Sequence, residues 1–148
     1  LDWITAKVAI GNYIDARDSG LLKRESIRSL ISLDGTVGST DAAAFGLAEV
    51  TCHRLVDGDG NDPRIFASAL ANLQRMAESC APVLVQCHAG RSRSAVLVAA
   101  YLMHDQNLTP KQALAMVAAK REISVASGLV KLLQQQFFST SAGTSKPV

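Results

Sequence analysis

The stretch from Val83 to Ser94 constrains the fold of this chain more than any other. Val83-Leu84-Val85 is a short apolar run after Pro82, the pattern of a strand buried on both faces. A loop rich in Gly, Ser and Arg follows. Then Ala95–Met103 runs apolar without a break, as a helix buried on nearly every side would. A buried strand that passes directly into a buried helix needs layers packed on both of its sides. That is the arrangement of an α/β domain. Ala95–Met103 is nine residues, about half of what a bilayer-spanning helix requires.

The flanking sequence agrees with a layered domain. Lys7–Ile10, Ile27–Leu33 and Val50–Val56 read as strands, closed by Gly11-Asn12, Asp34-Gly35 and the Asp57–Asp62 cluster. Thr40 is placed to cap a short helix over 41–44. Pro63 suits the first turn of a helix whose apolar positions Ile65, Phe66, Ala69, Leu70, Leu73, Met76 and Ala77 share one face. Thr109-Pro110 begins a helix reaching about Lys120, and a last helix covers roughly Ser127–Phe138. The expected fold class is α/β, a central and mostly parallel sheet of four to five strands flanked by helices. One domain over residues 1–138 is expected, with 139–148, rich in Ser, Thr and Gly, as a flexible C-terminal tail.

A formal charge of +2 is too balanced for a nucleic-acid binder, so no nucleic-acid partner is expected. Cys52, Cys80 and Cys87 form an odd set without a Cys-x-x-Cys pair, which argues for free thiols and a reducing, cytoplasmic setting. Cys52-His53 and Cys87-His88 lack the paired spacing of a structural zinc site, so no metal and no organic cofactor are expected. No secretion signal or transmembrane segment is legible, and a monomer is expected.

The chemistry concentrates where strand meets helix. Cys87-His88-Ala89-Gly90-Arg91-Ser92-Arg93-Ser94 sets a cysteine at the end of the strand and an arginine at the start of the helix. Such loops bind anions, because free backbone N–H groups converge there and the helix dipole adds to them. Gly90 permits the tight curvature required. The same surroundings favour a thiolate, and thiols so placed titrate at roughly 3.5–7.5. Arg93 is suited to grip two phosphate oxygens at once, which a lysine is not. A thiolate, an anion cradle and an arginine clamp together indicate phosphoryl transfer through a cysteinyl-phosphate.

The run CHAGRSRSAVLVAAYLM resembles the signature of dual-specificity phosphatases, within the cysteine-dependent protein tyrosine phosphatase superfamily. Cys87, Ala89, Gly90, Ser92, Arg93 and Ser94 carry the match. Ile10-Gly11-Asn12 with Asp15-Ala16, Ser26–Leu33 and the Ala-rich Leu108–Arg121 extend it over about residues 3–138. The resemblance implies hydrolysis of phosphotyrosine and phosphoserine/threonine esters on proteins. Cys87 would be nucleophile, Arg93 clamp, and Ser94 an aid to the leaving thiolate. His88, Ala89, Gly90, Arg91, Ser92 and Arg93 would line the phosphate site. It also implies a general acid from a loop about thirty residues earlier. Asp57 fits that spacing, with Asp59 and Asp62 on the same loop as alternatives. Asp62 before Pro63 also reads as a helix cap, and Asp59 between glycines as a turn residue.

Two departures matter. The family has His before the nucleophile and this chain has Gln86, which implies a higher thiol pKa and slower chemistry. Pro-Asn before the last helix is replaced by Ala126-Ser127. His88 and Arg91 make the loop basic, which leaves a polyphosphorylated substrate such as an inositol lipid as an alternative. A sulfurtransferase would explain Cys87 but not the Asp57 loop. A phospho-binding module without turnover is the alternative that Gln86 raises.

Overall fold

A computed structural model describes the backbone of residues 1–144 and the side chains of residues 1–137. Five strands form one sheet: β1 (Asp2–Trp3), β2 (Val8–Gly11), β3 (Ser29–Ser32), β4 (Glu49–Cys52) and β5 (Val83–Gln86). Their order across the sheet is β1-β2-β5-β3-β4. The short β1 pairs antiparallel to β2, and every other pairing is parallel. A parallel strand needs a crossover, and helices supply it on both faces. The α/β architecture with a mostly parallel sheet is therefore as expected. Strand order was not readable from the sequence.

The helices are α1 (Tyr13–Ala16), α2 (Ser19–Arg24), α3 (Pro63–Ser79), α4 (Arg93–Gln106), α5 (Pro110–Lys120) and α6 (Ser127–Thr144). Central strand β5 is fully buried, and α4 buries every side chain from Ser94 to Met103. Phe66, Leu73 and Met76 of α3 join α4 in the main core on one face of the sheet. A smaller cluster of Ala16, Leu22, Ile27, Leu30 and Leu84 fills the other.

The structure departs from expectation at four places. Helices α1 and α2 were not foreseen, because each is short and set by local caps. Asn12 accepts from the backbone N–H of Ile14 and Asp15, and Asp18 from that of Leu21. The helix expected after Thr40 is a single turn of 3₁₀ helix, Ser39–Asp41, closed by the Asp41 carboxylate accepting from the Gly38 N–H at 2.8 Å. β4 stops at Cys52, although the N–H groups of His53 and Leu55 still bond to Ser32 and Leu33. Finally, α6 runs on to Thr144, past the expected end at Phe138 and into the stretch read as a tail. Residues 145–148 lie outside the described residues.

Candidate active site

Cys87 follows the last residue of β5 and is 2% exposed. From there the loop turns four successive carbonyls onto donors. The His88 carbonyl accepts from the Tyr13 N–H at 3.0 Å, and that of Arg91 from the Ser124 N–H at 2.9 Å. Between them, Arg121 donates through Nη2 to Ala89 at 3.2 Å and through Nε to Gly90 at 2.6 Å. In a trans peptide the N–H opposes the carbonyl. With these carbonyls drawn outward, the N–H groups of Ala89, Gly90, Arg91 and Ser92 face the opposite side, the concave one. That is an anion cradle built from backbone. Gly90 makes the turn at φ +68°, where a Cβ would lie 2.7 Å from the Gly11 carbonyl oxygen.

Several side chains hold this loop in place. Arg121 is fixed from behind by Asp2 on β1, at 2.9 Å. Ser92 is buried and its Oγ accepts from the Ala126 N–H at 3.2 Å, tying the loop to the approach to α6. The rings of Tyr13 and His88 stack with centroids 4.6 Å apart. Arg91 reaches outward, 3.8 Å from the Glu122 carboxylate. Thus Ala89, Gly90 and Ser92 form the cradle's frame, while the His88 and Arg91 side chains engage neighbours at its rim.

Arg93 and Ser94 open helix α4, where the dipole is positive. The Arg93 guanidinium donates through Nη1 to the Leu55 carbonyl at 3.1 Å. Its Nε is buried and, among the described residues, has no partner. Ser94 Oγ is likewise buried and without a partner there. A buried unpaired donor costs about 1–3 kcal/mol. Two of them beside one buried cysteine mark a place that an acceptor has to fill.

The contact with Leu55 places Arg93 beneath the loop that carries the candidate acids. Asn61 shapes that loop. Its Oδ1 accepts from the Val56 N–H at 2.7 Å, and its Nδ2 donates to the carbonyls of Val56 and Gly58, at 2.8 and 3.2 Å. Asn61 thereby clamps the chain on both sides of Asp57, whose own side chain is exposed. Asp59 lies against Gly128 on the first turn of α6, where a Cβ would come 2.6 Å from the Gly58 carbonyl oxygen. Asp62 caps α3, accepting from the Arg64 N–H at 2.9 Å and pairing with its guanidinium. Of the three carboxylates, Asp62 is committed to a helix end, while Asp57 and Asp59 stand on the loop that Asn61 clamps.

Gln86 is fully buried one residue before Cys87. Its Oε1 accepts from Ser32 Oγ at 2.7 Å, and its Nε2 donates to Asp34 Oδ1 at 2.9 Å. Burial pushes the Asp34 carboxyl up, but bonds from the Thr36 side chain and N–H, from Gln86 and from Ser32 outweigh it, so its pKa lies below the ordinary 3.8.

Sequence reasoning missed Asp34, Ser32 and Tyr13, whose partners are distant in the chain, and Asn61, whose bonds to Val56 and Gly58 are local but arise only in the folded loop. A cavity of about 860 Å³, lined by Leu22, Lys23, Arg28, Phe45 and Pro82, opens at the N-terminal ends of the strands. It lies at the opposite end of the sheet from Cys87.

Comparison with known proteins agrees with this architecture. A family model, dual specificity phosphatase, catalytic domain, matches residues 51–137. Dual specificity protein phosphatase 22-B of Danio rerio is 33% identical over 115 residues, which are 76% of this chain and 60% of that protein. Dual specificity protein phosphatase PHS1 of Arabidopsis thaliana is 33% identical over 108 residues, 72% of this chain but 12% of that longer protein. The chain thus spans less than two thirds of either relative. The crystal structure of human DUSP28 superposes with a TM-score of 0.85 at 22% identity, covering 97% of this chain and 99% of that one, which shows the shared fold. By the family match and by the loop that carries Cys87 and Arg93, the chain belongs to the dual specificity phosphatase family.

Proposed function

We propose that this domain hydrolyses phosphomonoesters of phosphotyrosine and phosphoserine/threonine proteins through a cysteinyl-phosphate on Cys87. The observation that carries the reading is the buried Arg93 Nε, without a partner among the described residues, beside a loop whose carbonyls from His88 to Arg91 are each held by a donor. Four N–H groups and a guanidinium edge left to one concave space suit the equatorial oxygens of a phosphoryl group.

In the first step the Cys87 thiolate attacks phosphorus and the ester P–O bond breaks. Asp57, protonated, gives its proton to the departing oxygen. In the second step water attacks the same phosphorus, Asp57 takes its proton, and the P–S bond breaks. Inorganic phosphate leaves, and Ser94 Oγ–H, otherwise unsatisfied, donates to the returning thiolate. Every proton is accounted for by Asp57 and water, so the chain's own residues suffice.

His88 stacked on Tyr13, and Arg91 turned toward Glu122, favour protein esters over a polyphosphorylated inositol lipid. The phospho-binding reading is disfavoured because Gln86 leaves the loop supported by buried hydrogen bonds. Three free cysteines suit a reducing, cytoplasmic compartment, and the domain acts as a monomer. No described helix is long and apolar enough to cross a membrane.

The test is a panel of phosphopeptides and inositol phosphates in chelator-containing buffer, with and without vanadate. Turnover of the peptides, blocked by vanadate and absent in Cys87→Ser, is expected. Exclusive turnover of inositol phosphates, or binding without turnover, would overturn the reading.

A further inference from the structure

Gln86, the residue before the nucleophile, is tied to a partner that its sequence neighbours do not announce. Its amide is oriented by charge. A carboxylate accepts and never donates, so Nε2 must face Asp34 and Oε1 must face the Ser32 hydroxyl, as they do at 2.9 and 2.7 Å. Asp34 is in turn fixed by the Thr36 N–H at 2.9 Å. The Leu33 N–H bonds to the Gln86 carbonyl at 2.7 Å, so Asp34 sits directly beside the strand end from which Cys87 projects.

Beside the pair, the Arg54 guanidinium lies over Gly35, the residue next to Asp34. Gln86 itself brings no charge. Asp34 is therefore the carboxylate bound to the residue that precedes the nucleophile.

We propose that Asp34 is a positioning residue for the reaction: it locks the Gln86 amide that anchors the strand end carrying Cys87. Its role in turnover rests on the phosphatase reading, but its hold on the strand end does not.

Asp34→Asn and Asp34→Ala test this. An asparagine with its Oδ1 toward Gln86 keeps the bonds from Nε2 and from the Thr36 N–H, so kcat/KM should stay within about threefold of the parent. Asp34→Ala frees the amide, and kcat/KM should fall about tenfold or more through kcat. The rate of Cys87 alkylation by iodoacetamide at fixed pH should also change by about threefold or more in Asp34→Ala. Parental kcat/KM and alkylation in Asp34→Ala, or equal losses in Asp34→Asn, overturn the positioning. The alkylation readout needs no turnover: if the parent hydrolyses nothing while Asp34→Ala still alters alkylation, the phosphatase reading has failed and the positioning has not.

Discussion

Arg121 Nε donates to the Gly90 carbonyl at 2.6 Å, and the same guanidinium lies where a Cβ on Gly90 would have to go. One residue bends the loop and the other holds the bend, so neither works without the other. Behind Arg121 stands Asp2 on the edge strand, which links the anion cradle to the far side of the sheet.

Gly90→Ala should therefore be damaging twice over. At φ +68° an alanine costs about 1–3 kcal/mol in backbone strain, and its Cβ meets the Gly11 carbonyl at 2.7 Å. A fall in the urea midpoint, with loss of vanadate affinity, is the expected outcome. Denaturation curves with and without vanadate measure it.

Asp57→Asn should depress turnover of alkyl phosphates by about 10²–10⁴-fold. A substrate with a good leaving group needs no proton, so its first step should be far less affected. Parallel kcat measurements on phosphoserine peptide and on an activated aryl phosphate check this. Equal losses on both would remove Asp57 from the role.

Asp62→Ala should do the reverse. It removes the N-cap of α3 and its pair with Arg64, lowering the melting temperature while leaving catalysis in place. Thermal melts beside steady-state rates distinguish it from Asp57. A collapse of activity without loss of stability would mean that the acid had been misassigned.

The pH dependence of stability follows from His53 and from carboxylates whose native pKa is lowered: Asp34, Glu49 through the Arg75 guanidinium, and Asp62 through Arg64. His53, near Asn72 at 2.9 Å, is held below 6.5 by burial, so it favours the neutral form in the native state. Its contribution is present above pH 6.5 and is lost as the pH falls through the lowered native value. Asp34, also lowered, contributes above 3.8 and loses that contribution as the pH falls further. Urea midpoints measured from pH 8 to pH 3 should decline in two stages. His53→Gln should flatten the first, and Asp34→Asn should shrink the second, to which Glu49 and Asp62 also contribute.

Much of this was legible in the sequence, for identifiable reasons. The buried run Val83–Val85, the loop from Cys87 to Ser94 and the apolar helix after it depend on residues adjacent in the chain. Their local pattern and their structure coincide. Asp62 beside Pro63 announced its capping role in the same way. Strand order was hidden because β2 and β5 pair across about half of the chain's length. Gln86 stood out as a departure, but its partners Ser32 and Asp34 lie more than fifty residues away. Asn61 sat within a visible turn cluster, yet only the folded loop shows it clasping both sides of Asp57.

The most direct test of the mechanism is to trap the intermediate. Asp57→Asn mixed with an activated aryl phosphate should form the phosphoenzyme and hydrolyse it slowly, since no base then assists water. After an acid quench, peptide mass spectrometry should find one phosphoryl group on the peptide containing Cys87, and none in a Cys87→Ser control. A phosphoryl group on another residue, or hydrolysis that persists in Cys87→Ser, would contradict the account.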